Sequence, residues 1–368
     1  MHELLAGNNM ITTLIVVYLL IECAQEVHGI LVNKYNETEA KILVNLAAGA
    51  YSTDPEKCVI NTLPKWQKWL VYSTESTMCD IFQNSCSSYI IRSDIIKEII
   101  IVFRGTTTKK QLITQGWQSM KSMRDFFGVG MVNRYFFEAL EHVWPNIELV
   151  LKDPIFKSYP VTFTGHSLGG AIASLAATRT VIKKLRTGDK IKLITFGQPR
   201  TGDYQYAMYH NDHIPFSFRL VHRLDLVPHI LPCKKNASQP GARNRKSKPC
   251  LTGMSGSPYH HGIEIWYPYG MAKDAEYYVC LGKPTSEDFN CSNSLTYDFK
   301  DYNIYIDDHR HYFNIKLGSF GKRGCIQQVN SSSSETPLFA SYIDTISQKF
   351  QEFKQRISDF LDVSKKRQ

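Results

Sequence analysis

Apolar residues in the middle of the chain come in short continuous runs. Glu98–Phe103 reads EIIIVF, Val161–Thr164 VTFT, Ile191–Phe196 IKLITF, Phe216–His222 FSFRLVH and Gly262–Tyr267 GIEIWY. Continuous β-branched and aromatic runs suit strands buried on both faces. Helical patterns fall between them, chiefly over Ala171–Lys184, where alanine mixes with β-branched residues. Strand and helix in alternation predict a single α/β domain on a central, mostly parallel sheet.

The two ends follow other patterns. Ile11–Ala24, ITTLIVVYLLIECA, holds an apolar run of about ten residues, short for a membrane span and suited to the h-region of a signal peptide. No Lys or Arg precedes it, and Met10 is an alternative start. Residues 1–29 therefore read as a signal, with an N-terminal membrane anchor as the competing reading. The domain proper is expected over 30–329. Beyond it, NSSSS at Asn330–Ser334 reads as a linker. Phe339, Ile343, Ile346, Phe350, Phe353, Ile357 and Phe360 then recur at steps of four and three. That stripe predicts an amphipathic helix within 330–368, docked on its own domain, pairing in a homodimer or lying on lipid.

Cysteine usage sets the compartment. Of nine cysteines, Cys23 leaves with the signal and eight remain, an even number that suits an oxidising compartment. No Cys-x-x-Cys pair occurs, so zinc is not expected, nor any other metal or cofactor. Asn36, Asn236, Asn290 and Asn330 each stand two before Ser or Thr and are glycosylation sequons. Secretion follows; the lumen of the secretory pathway, the lysosome or a membrane anchor are the alternatives. The formal net charge is +9. Basic residues make no stripe interleaved with aromatics, which excludes a nucleic-acid partner and leaves an anionic lipid surface. The densest basic segment, KKNASQPGARNRKSKP between Cys233 and Cys250, holds six Lys or Arg and no acid.

Candidate chemistry centres on VTFTGHSLGGAIASLAA, beginning at Val161. A strand runs into Gly165-His166-Ser167-Leu168-Gly169 and a small-residue helix follows, the context of a nucleophile elbow. Side chains at Gly165 and Gly169 would obstruct so sharp a turn. The helix N-terminus favours developing negative charge.

With IVFRGTTT, ITFGQPRTGD, VHRLDLVPHILP, HHGIEIWY and DDHRHYF in order around it, this segment resembles the class 3 lipase family, the fungal-type triacylglycerol lipases of α/β-hydrolase fold. The likeness runs from about Val44 to Cys325. In that fold the base follows the nucleophile, and His222, His229, His260, His261, His309 and His311 all do. The resemblance implies His309 as base, with His311 the nearest rival, and Asp225 as its orienting acid rather than Asp203, which suits a helix cap. It implies backbone donors at Leu168 and Thr106 for the oxyanion. It also implies disulfides Cys58–Cys325 and Cys280–Cys291; Cys79–Cys86 and Cys233–Cys250 are paired by proximity in sequence. TKKQLITQGW, from Thr108 to Trp117, stands where the family carries a lid. Gly128–Tyr135 lacks the histidine-glycine pair often found there.

The expected function is a secreted serine lipase acting on acylglycerol esters at a membrane or droplet interface, through an acyl-serine intermediate. A phospholipase, a soluble esterase of the same fold, or a non-catalytic lipid-binding protein are the alternatives.

Overall fold

A computed structural model of the chain describes residues 35–78, 85–106, 122–238 and 247–327. The signal segment, Cys79, the lid segment, half of the basic loop, Asn330 and the C-terminal stripe lie outside them, and with the stripe the expected homodimer. The described residues up to Ile326 form one compact unit.

In chain order the principal elements are α1 (Glu37–Gly49), α2 (Glu56–Thr62), β1 (Leu70–Met78), β2 (Ser85–Ser93), β3 (Glu98–Phe103), β4 (Met123–Asp125), β5 (Met131–Asn133) and α3 (Arg134–Lys152). They continue with β6 (Val161–His166), α4 (Leu168–Ile182), β7 (Ile191–Phe196), α5 (Tyr204–His213), β8 (Ser217–His222), β9 (Ile263–Tyr267) and β10 (Tyr278–Cys280). The last are α6 (Tyr302–Arg310), β11 (His311–Tyr312), β12 (Ile315–Lys316) and α7 (Leu317–Lys322).

Eight strands form one sheet in the order β1-β2-β3-β6-β7-β8-β9-β10. The five apolar runs of the sequence are β3, β6, β7, β8 and β9, and they are the parallel core of that sheet. The antiparallel strands β1, β2 and β10 flank them. The fold is that of the α/β hydrolases, as expected.

Strand alternation divides the core. Ile99, Ile101 and Phe103 of β3 point into a cluster with α3 and α4, whereas Ile100 and Val102 join the other face with α1 and Phe320 of α7. Helix α4 is buried along nearly its whole length, which its run of Gly, Ala and Ser permits. Caps fix the helix starts: Asn36, Asn133 and Asp203 each accept a backbone N–H of the first turn.

Disulfides join Cys58 to Cys325, Cys233 to Cys250 and Cys280 to Cys291. Cys86 is also disulfide-bonded. Among the described residues one grouping has metal-ligand geometry, Glu264 with Cys280 and Cys291, and its two sulfurs are bonded to each other.

Candidate active site

The parallel strands deliver their C-terminal ends to one place, the usual ligand position of an open α/β sheet. β3 ends before Thr106, β6 before Ser167, β7 before Gly197 and β8 before Asp225.

Ser167 sits between strand and helix at φ 62°, left-handed backbone that a serine adopts at a cost. Its N–H is held by the Phe196 carbonyl at 2.9 Å. The flanking glycines are required by close approach. A Cβ on Gly165 would lie 2.4 Å from the Gly169 carbonyl carbon, and one on Gly169 would lie 2.2 Å from the Phe103 oxygen. Leu168 is the first residue of α4, so its N–H has no carbonyl of the helix to bond.

His309 lies near the end of α6, and its Nδ1–H donates to Asp225 Oδ2 at 3.0 Å, with both side chains buried. The Tyr312 hydroxyl donates to the same oxygen at 2.7 Å, and the Val227 N–H to Oδ1 at 2.8 Å. Burial and the neighbouring Asp225 charge push the Tyr312 hydroxyl well up, which keeps it a donor. Asp225 thus fixes His309 with Nδ1 protonated and Nε2 bare. Ser167 Oγ, His309 Nε2 and Thr106 Oγ1 have no hydrogen-bond partner among the described residues. All three residues line one cavity of about 280 Å³. A serine hydroxyl, an unpartnered imidazole nitrogen with a buried carboxylate behind it and a threonine hydroxyl share that cavity, an arrangement suited to acyl transfer.

The family-model match is to Lipase (class 3), over residues 100–235. A lipase of Caenorhabditis elegans is 43% identical over 293 residues, spanning 79% of this chain and 83% of that protein. The chain belongs to the class 3 lipase family. With that family it is a serine ester hydrolase. A lipase of Rhizopus niveus is 30% identical over 257 residues, 69% of this chain and 57% of that protein. The crystal structure of a lipase from Rhizopus microsporus var. chinensis covers 76% of this chain and 88% of its own at 27% identity, with a TM-score of 0.56.

Other candidates of this class 3 lipase have structural duties. Asp203 caps α5 and accepts from Met131 and Gly256 N–H groups. His311 is partly exposed and bonds Asp307. His261 is buried against Gln198 and the ring of His210, and His260 holds the Pro228 carbonyl. Burial drives both well below the usual imidazole range.

Four residues around the triad escape a reading of the sequence. His166 Nε2–H donates to the His309 carbonyl at 2.7 Å, its ring stacks on that of His309, and its Nδ1 accepts from the Tyr51 hydroxyl at 2.7 Å. Burial and the neighbouring His309 keep it neutral, as that tautomer demands. Gly197, at φ 57°, lies under the His309–Asp225 bond. Tyr312 and Tyr51 complete the group. Contacts spanning 115 or 143 positions leave no local pattern. Only the glycine of ITFGQP, a break directly after a strand, carried a usable signal.

Proposed function

We propose that this chain is a secreted acylglycerol lipase in which Ser167, His309 and Asp225 act as nucleophile, base and orienting acid. His309 Nε2 takes the proton of Ser167 Oγ as that oxygen attacks the ester carbonyl. The buried Asp225 carboxylate stabilises the imidazolium. Backbone N–H groups of Leu168 and Thr106, with the Thr106 hydroxyl, receive the oxyanion; losing one such donor costs about 2.7–4 kcal/mol. Return of the proton to the glycerol oxygen frees the alcohol, and water releases the fatty acid from the acyl-serine.

The observation that carries this reading is the buried His309–Asp225 bond, which leaves Nε2 unpartnered in the cavity that Ser167 lines. Secretion is supported by the disulfides. Asn36 and Asn290 are exposed and Asn236 is partly so, open to glycosylation.

The test is hydrolysis of a triolein emulsion and of a soluble short-chain ester by the full, oxidised protein and by Ser167→Ala. Both activities are expected, and both should vanish in the variant. Activity on the soluble ester alone would replace lipase by esterase. Undiminished activity of Ser167→Ala would remove the nucleophile.

A further inference from the structure

The active-site cavity has a wall that the chemistry of neutral esters does not use. Besides Tyr51, Thr106, His166, Ser167 and His309, it is lined by Arg310, Lys316, Leu317, Gly318, Ser319 and Lys322. Three of these carry positive charge and none carries negative charge. The side chains of Arg310, Lys316 and Lys322 make no ion pair or hydrogen bond among the described residues, whereas several basic side chains buried in the core are matched. Arg200 meets Glu287, Arg219 meets Glu264, Arg223 meets Asp308 and Arg179 meets Glu141. The acids around the site are committed elsewhere: Asp225 to His309, Asp307 to His311 and Asp308 to Arg223 and the Leu224 N–H.

The wall is also firmly placed. Lys316 directly precedes α7 and Lys322 ends it. That helix is packed so closely on the end of α1 that a Cβ on Gly321 would lie 1.8 Å from the Ala48 oxygen. Just beyond it, Cys325 is bonded to Cys58. Arg310 follows His309 at the end of α6 and is near enough to act on Tyr51 and His166. A half-buried cleft lined by one sign of charge focuses its field on whatever enters it. A triacylglycerol offers these groups nothing, so they contribute no binding energy to its hydrolysis.

We propose that Arg310, Lys316 and Lys322 form an anion-binding lip that takes the phosphodiester of an acidic glycerophospholipid while its acyl ester reaches Ser167. This rests on Ser167 being the nucleophile. The glycerol backbone separates phosphate from ester carbon, a span that fits one cavity of this size. Ser167 Oγ bonds to the acyl carbon, the acyl–oxygen bond breaks, and the glycerol oxygen leaves with the proton held on His309. Water then releases the fatty acid, and the phosphodiester stays intact in the lysophospholipid.

The test uses monomeric substrates, so that attraction of a basic protein to a charged surface plays no part. The kcat/KM is measured on dihexanoylphosphatidylglycerol, dihexanoylphosphatidylcholine and 1,2-dihexanoylglycerol, each below its critical micelle concentration. The full, oxidised protein is compared with Lys316→Gln/Lys322→Gln, both exposed positions. The unmodified protein should prefer the phosphatidylglycerol to the phosphatidylcholine. In the double variant the ratio of phosphatidylglycerol to dihexanoylglycerol hydrolysis should fall about tenfold, the scale of one or two charge-assisted contacts. An unchanged ratio overturns the proposal, as does hydrolysis of dihexanoylglycerol without the phosphatidylglycerol. Competition by hexanoate that is lost in the double variant, with the ratio unchanged, would assign the lip to the product carboxylate instead. If folded protein cleaves none of the three, the ester-hydrolase reading falls and the lip with it.

Discussion

Replacing Gly197 by alanine should separate stability from activity. The backbone there is held at φ 57°, and its N–H is tied to the Leu220 carbonyl at 3.0 Å, so it cannot swing away. An L-residue in this left-handed region costs about 1–2 kcal/mol. For a domain of this size that lowers Tm by a few degrees, on the order of 2–4 °C per kcal/mol. The new methyl group, however, would lie 2.7 Å from Asp225 Oδ2, 2.8 Å from His309 Nδ1 and 2.9 Å from His309 Cε1. These are buried atoms of a bonded pair, and the ring must move by something like half an ångström or more to relieve them. A misplacement of about 1 Å at reacting groups costs on the order of 10²-fold. We expect kcat/KM on a soluble butyrate ester to fall by at least about 30-fold, or about 2 kcal/mol of transition-state stabilisation. Thermal unfolding followed by circular dichroism supplies the other half of the comparison. A variant that melts a few degrees lower yet keeps kcat/KM within about threefold of the parent would refute the placement of Gly197 beneath the working His–Asp pair.

Two further outcomes follow from the buried polar groups. Tyr312→Phe removes a donor from Asp225 Oδ2. A hydrogen bond to a charged group is worth about 1.5–3 kcal/mol, so kcat should fall about tenfold with KM little changed; unaltered kcat would show that the tyrosine only packs. Acid should unfold the domain early. Burial lowers His210 to about 3 and His222 to about 4, and holds His166, His229, His260 and His261 well below the usual range. Stability from these groups is complete above about pH 6.5 and is lost as pH falls towards their folded values. Asp308, raised by burial to about 7, and Glu98 and Glu264, raised likewise, act in the opposite sense. Six histidines against three carboxyls leave a net loss of stability as pH falls below about 6.5. A far-ultraviolet signal unchanged from pH 7 to pH 3.5 would contradict it.

The five parallel strands were legible because burial on both faces writes itself as uninterrupted apolar runs. β1 was not, since LVYSTESTM at the sheet edge alternates between exposed and half-exposed residues and reads as polar loop. Its register with β2 is set by partners that no local pattern announces. The helix after the serine starts at Leu168 rather than Ala171, because glycines that look like breakers are there for close packing. At the site, Ser167 was legible from its own neighbours. Asp225 and His309 needed the family likeness, since several acids and histidines follow the serine. His166 illustrates the remainder: it stands inside the motif, but its bond to the His309 carbonyl exists only once α6 has docked.

The bond between Cys58 and Cys325 carries a consequence for synthesis. Its partners are 267 positions apart, whereas Cys233–Cys250 and Cys280–Cys291 close loops of 17 and 11. Where the chain oxidises during synthesis, the short loops can close at once. Cys58 cannot form its native bond until almost the entire domain has been made. The last stretch to arrive brings Cys325 together with α7 and its lysines, so the wall of the active-site cavity is hung and bolted in the same late event. A nascent chain halted before Gly324 would carry the serine and both its triad partners, yet leave Cys58 unpaired for thiol surveillance to find.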